Sequence, residues 1–89
     1  MEYGQIVATR SVADEMKASE LFRLEVQEAL QQYISGDWGQ MSETDKEEND
    51  RAVSEGERVL AAYQTSKGKI WIITEWDRTA TTILFPNEY

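Results

Sequence analysis

Residues 58–86, RVLAAYQTSKGKIWIITEWDRTATTILFP, decide the fold. Three runs rich in β-branched, aromatic and aliphatic residues (RVLAAYQT, IWIITEW and TTILF) are separated by two short polar segments, SKGK and DRTA. Such runs, bounded by turn formers, read as three antiparallel strands joined as a meander. Gly68 supplies the positive φ that SKGK needs. Asp77 opens the second turn by accepting from the backbone ahead of it. Pro86 ends the last strand because it brings no N–H to a ladder. On the middle strand Ile70 and Ile72 share a face with Trp76, and Trp71 shares the other with Ile73. Neither face is polar, so the second face needs cover from a loop, the C-terminal NEY or another chain.

Toward the N-terminus the period changes. SETDKEENDRAVSEGE reads as a helix with Ser42 as N-cap and Asp45 three residues on. Glu43, Asp45 and Glu47 crowd its first turns, where the helix dipole favours anions, and Gly56 is a natural stop. Its apolar stripe is only Ala52 and Val53, so most of it faces water. ELFRLEVQEALQQYIS is the clearest helix: Phe22, Val26, Ala29, Leu30, Tyr33 and Ile34 recur at three and four, and Gly36 sits where a left-handed residue would end it. Ser11 reads as an earlier N-cap with Asp14 behind it, and Ser19 as a second cap or a kink. QIVAT, residues 5–9, reads as a strand. Between the helices GDWGQMS is a loop, from which Trp38 either folds back onto the core or offers an aromatic anchor to a partner. The expectation is an α+β domain, β-α-α-β-β-β, with an antiparallel sheet of about four strands and helices on one face.

Composition excludes several functions. A chain of 89 residues is one domain and buries roughly 60–65% of its unfolded surface. It has neither cysteine nor histidine, which removes thiolate chemistry, disulfides and the commonest general base and zinc ligand. No apolar run approaches the ~20 residues of a membrane span. The N-terminus lacks a basic segment followed by a long apolar one, so a cytoplasmic location is expected. A net charge of −8 disfavours direct contact with nucleic acid or an anionic membrane and favours a basic protein partner.

The charge is unevenly placed. Seven carboxylates (Glu43, Asp45, Glu47, Glu48, Asp50, Glu55 and Glu57) lie between Ser42 and Glu57 against Lys46 and Arg51, whereas residues 58–89 hold three acids and four bases. Glu43, Glu47 and Asp50 fall on one helix face. Over roughly 22 Å, at about 1.5 Å per residue, such a row matches a basic groove built for phosphates. The plainer reading is a solvated helix. DKEENDRAVSE lacks the residue order of a calcium loop, leaving at most a loose Mg²⁺ set of Asp45, Glu48 and Asn49. Glu75, Asp77 and Arg78 are the one set with acid–base potential. Against it stands a turn in which Asp77 bonds the backbone and Arg78 pairs with a nearby carboxylate. If the second sheet face is open, a Trp there, Tyr63 or Phe85 would suit a homodimer contact.

GDWG, DKEENDRA, EGERVLAAY, IWIITEWDR, TTILFP and the terminal EY resemble a family of small acidic proteins carried on bacterial plasmids, phages and integrated elements. The likeness covers roughly residues 36–89 and, loosely, the first helix; it carries over no functional residues. It implies an accessory role on a mobile element, where small acidic proteins often inhibit host defence as anti-restriction or anti-CRISPR proteins. The resulting expectation is a non-enzymatic protein, needing no cofactor, that binds a basic host nuclease or nucleic-acid-binding complex through Glu43, Glu47, Glu48 and Asp50, with Trp38 at one end. The alternative is a homodimeric regulator or toxin–antitoxin accessory protein using an apolar sheet face.

Overall fold

A computed structural model describes all 89 residues. The elements run β1 (Gln5–Ala8), α1 (Arg10–Ala18), α2 (Glu20–Ile34), α3 (Glu43–Glu55), β2 (Val59–Thr65), β3 (Gly68–Thr74), β4 (Ala80–Leu84) and a 3-10 turn at Pro86–Glu88. This is the expected α+β class with one more helix. The chain straightens at Ser19 (φ −139°, ψ 115°), whose side chain accepts from the Phe22 amide at 3.2 Å and so starts α2 as a separate helix. The first cap is Thr9, not Ser11: Arg10 is already helical, and Thr9 Oγ1 accepts from the Val12 amide at 3.3 Å. Ser42 and Gly56 (φ 71°) bound α3 as expected. No helix is long and apolar enough to cross a membrane.

The four strands lie in the order β1-β4-β3-β2. The meander is antiparallel, with Ala61 opposite Ile72 and Ile72 opposite Ile83. The sheet as a whole is mixed, because β1 runs parallel to β4, with Ile6 beside Thr81. The helical layer explains this correction. It carries the chain from the end of β1 back to the starting end, so β2 runs the same way as β1. Two reversals later β4 points that way again and meets β1.

Residues that face the helices form the core. Val59, Ala61, Ile70, Ile72 and Ile83 pack under Val12, Phe22, Val26, Ala29 and Tyr33. Ile70 and Ile72 are fully buried there, so Trp71 and Ile73 lie on the outer face with Leu60, Ala62 and Leu84. Trp76 does not share the Ile70 face. Strand β3 stops at Thr74, and Trp76 stands in the following turn, 68% exposed.

The C-terminal residues supply part of the outer cover. Glu88 accepts from the Phe85 amide at 2.8 Å and from the Thr9 hydroxyl at 2.9 Å, folding the tail back. Tyr89 then meets Trp71 edge-on, with centroids 5.7 Å apart. The Arg58 guanidinium lies 5.0 Å from the Tyr89 ring centre and donates to its hydroxyl. Ile73 and Leu84 are buried on this face.

Candidate functional site

The helical layer is where charge accumulates. Residues 1–57 carry fourteen acids and five bases, a net −9, whereas residues 58–89, which build the meander, carry net +1. The part of the chain that carries the helices is therefore strongly acidic, and the meander is close to neutral. Within α3 the apolar stripe is too narrow to bury the helix, and only Asn49 and Ala52 are buried. Asn49 docks the helix on the edge strand: its Nδ2 donates to the Leu60 carbonyl at 2.7 Å, and its Oδ1 accepts from the Leu60 amide at 3.4 Å. This holds Glu43, Glu47, Glu48 and Asp50 outward, and all four are exposed.

Those carboxylates are not equivalent. Arg51 gathers Glu48 at 2.7 Å, Glu57 at 3.0 Å and Glu55, and these three bonds push its pKa still further above its ordinary value. Glu48 is thereby drawn out of the free row. Glu43 has Lys46 at 3.8 Å, a loose pair in water. Asp50 accepts from Trp38 Nε1 at 2.9 Å. Glu47 and Asp45 stand with no cation within ion-pair reach, so Asp45, which the sequence reading left out of the partner-binding set, belongs to the free acidic surface. Its position in the first turn was the available signal.

Trp38 faces inward. Gly36 (φ 85°) and Gly39 (φ 76°) reverse the chain on either side of it. The indole is only 5% exposed and meets Tyr33 edge-on at 5.4 Å. The fold-back reading holds, and Trp38 is no exposed anchor. The same loop seals the sheet: Gln40 N donates to the Ala62 carbonyl at 2.7 Å, and the Ala62 amide donates to the Trp38 carbonyl at 3.4 Å.

The two other candidate sets come apart. Asn49 is committed to Leu60 and Glu48 to Arg51, so they do not converge with Asp45 on a cation. Asp77 Oδ1 accepts from the Thr79 hydroxyl at 2.8 Å and amide at 3.2 Å, which hold its carboxyl below the usual range. Arg78 makes no carboxylate pair. It donates to three carbonyls, those of Glu57 at 2.7 Å, Glu75 at 3.1 Å and Ala52 at 3.2 Å. EWDR is thus a clamp between the β3–β4 turn and the C-terminal end of α3. It is an arrangement for holding the chain. Comparison with protein-family models, with curated proteins and with solved structures finds no match to this chain.

Proposed function

We propose that this chain is a non-enzymatic binding protein whose acidic helical layer occupies a basic, nucleic-acid-binding surface on a host protein. The observation that carries the reading is the charge division along the chain, net −9 over residues 1–57 against net +1 over residues 58–89, with Glu43, Glu47 and Asp50 outward on one side of α3. A groove rich in Lys and Arg binds phosphates through charge and counterion release, and a rigid row of carboxylates competes for the same cations. The resemblance to mobile-element proteins supplies the setting, a host defence nuclease or complex of the kind that anti-CRISPR and anti-restriction proteins inhibit. The role of each carboxylate differs: Glu47 and Asp45 supply unpaired charge, Glu43 lends charge from a loose pair, and Asp50 is partly committed to Trp38.

The variant that tests this is Glu43→Lys with Glu47→Lys, since both side chains are exposed and neither holds the fold. The tagged chain is used to capture its partner from host extract, and the partner's nucleic-acid binding is then measured with and without the chain. Displacement of nucleic acid by the wild type, lost in the double variant and weakened by added salt, is the expected result. Capture that survives both the charge reversal and high salt removes the electrostatic reading.

A further inference from the structure

The sheet's two edges are treated differently. At the β2 edge every outward backbone group of Leu60 and Ala62 is taken, by Asn49 and by the Trp38–Gln40 segment. At the β1 edge nothing is placed. The amides of Gln5 and Thr9 donate to Thr79 at 3.1 Å and Ile83 at 3.0 Å of the β4 side. By strand alternation, Ile6 and Ala8 turn their N–H and C=O groups outward. The four residues of β1 are all exposed, Ile6 at 43% and Val7 at 37%, and none is a charged residue or a proline. Charged residues and proline are devices that ordinarily blunt an edge; the one such device β1 has is its length of four residues.

We propose that the β1 edge pairs with β1 of a second copy of this chain, antiparallel about a two-fold axis through Val7, to give a continuous eight-stranded sheet. The occupant follows from self-complementarity. With Ile6 opposite Ala8 of the second copy, and the reverse, each outward N–H meets an outward C=O and none is left over. On the helix side a large residue, Ile6, then lies across from a small one, Ala8. On the other side Val7 meets its own copy. The flanking charges are complementary as well: Glu2 precedes the strand and Arg10 follows it, so antiparallel pairing brings the acid of each copy toward the base of the other. This surface is distinct from the acidic layer, and the two are separable by salt. Two chains of net −8 repel, so salt strengthens this dimer, whereas it weakens a complex between the acidic layer and a basic partner.

Sedimentation over a concentration series is expected to show the wild type passing from monomer to dimer, more readily at high salt. Val7→Lys places like charges opposite each other at the axis and weakens association by about fivefold, with the circular dichroism unchanged. Because the chain has no cysteine, Val7→Cys gives an independent reading. A non-hydrogen-bonded antiparallel pair has Cα atoms about 4.5 Å apart, within the disulfide range of roughly 4.4–6.8 Å. Mild oxidation should therefore cross-link Val7→Cys into a dimer far faster than the exposed control Leu24→Cys on α2. A wild type that stays monomeric throughout the series, a Val7→Lys chain that dimerises as tightly as the wild type, or a Val7→Cys chain that cross-links no faster than the control would each overturn the proposal.

Discussion

The Tyr33 hydroxyl lies 2.6 Å from that of Thr74, and Tyr33 is the donor. The direction follows from the far end of a chain of hydroxyls. Thr81 Oγ1 is 2.6 Å from the Tyr3 carbonyl, which only accepts, so the single Thr81 proton points there. Thr74, 2.7 Å from Thr81, must then donate to it, and Tyr33 must donate to Thr74. Tyr33, Thr74 and Thr81 are fully buried. This one polar line through the core ties α2 to β3, β4 and the segment ahead of β1.

Thr74→Val breaks that line in the middle and leaves the buried Tyr33 hydroxyl with no acceptor, at a cost of roughly 2–3 kcal/mol. Tyr33→Phe removes only a donor, since Thr74 still bonds Thr81, and should cost about 1 kcal/mol. The double variant removes the orphan along with its partner and should be more stable than Thr74→Val alone. Urea denaturation of the three variants measures this; a loss in Tyr33→Phe as large as that in Thr74→Val would contradict the assigned direction.

The same burial makes the fold sensitive to alkali. Burial pushes Tyr33 up from 10.0 to about 12, and it raises Tyr63 as well, with the nearby Asp37 carboxylate adding to the effect. In the unfolded chain both phenols ionise near pH 10 while the folded protein keeps them protonated, so the unfolded state binds fewer protons there and stability falls with rising pH. The contribution is fully present below pH 10 and is lost as pH climbs toward about 12. For Tyr33 alone the loss is roughly 3 kcal/mol. Denaturation midpoints should hold up to pH 9.5 and then drop steeply. Tyr33→Phe should flatten part of that drop.

The meander was legible because its information is local: each strand and each turn carries its own signal within a few residues. The caps at Ser42 and Gly56, and the buried stripe of Phe22, Val26, Ala29 and Tyr33, were legible for the same reason. What escaped depends on distant partners. Parallel pairing of β1 follows from where the helical layer returns the chain, not from anything in QIVA. Trp38 is open to two readings, and only Asp50 and Tyr33, which receive it, select the inward one; Asn49 reads as one more polar residue until Leu60 lies beside it. Within the acidic set, sequence counted carboxylates correctly but did not separate Glu48, which Arg51 neutralises, from Glu47, which nothing does.

Two glycines flanking Trp38 make a controlled comparison. Both take positive φ, so Ala at either position has backbone strain of about 1 kcal/mol. A Cβ on Gly36 meets open space, whereas one on Gly39 would fall onto the Ala62 carbonyl oxygen and the Tyr63 ring. Gly36→Ala should therefore lose about 1 kcal/mol, and Gly39→Ala several times that, because the strand-edge bridge must open. Thermal melts should separate the two clearly. Equal losses would mean that the Trp38–Gln40 segment is not held against β2.

Arg78 sets a backbone penalty against a side-chain gain, and substitution separates them. It is the one non-glycine residue at positive φ, 60°. Glycine there would relieve the strain, so a turn chosen for backbone comfort would be stabilised by Arg78→Gly. The guanidinium, however, donates to the carbonyls of Ala52, Glu57 and Glu75 at once, two of them at the C-terminal end of α3, where the dipole favours a cation. Charge-assisted bonds contribute roughly 1.5–3 kcal/mol, toward the lower end for a half-exposed side chain. That exceeds the strain, which is about 1 kcal/mol. Arg78→Gly should therefore be less stable than the wild type, and Arg78→Ala, which loses the bonds and keeps the strain, lower still by about 1 kcal/mol. In both, amide exchange should accelerate in the last turn of α3 before it does in β2–β4. If Arg78→Gly instead proves more stable than the wild type, the clamp contributes less than the strain, and α3 is held by Asn49, Asp50, Ala52 and Val53 without it.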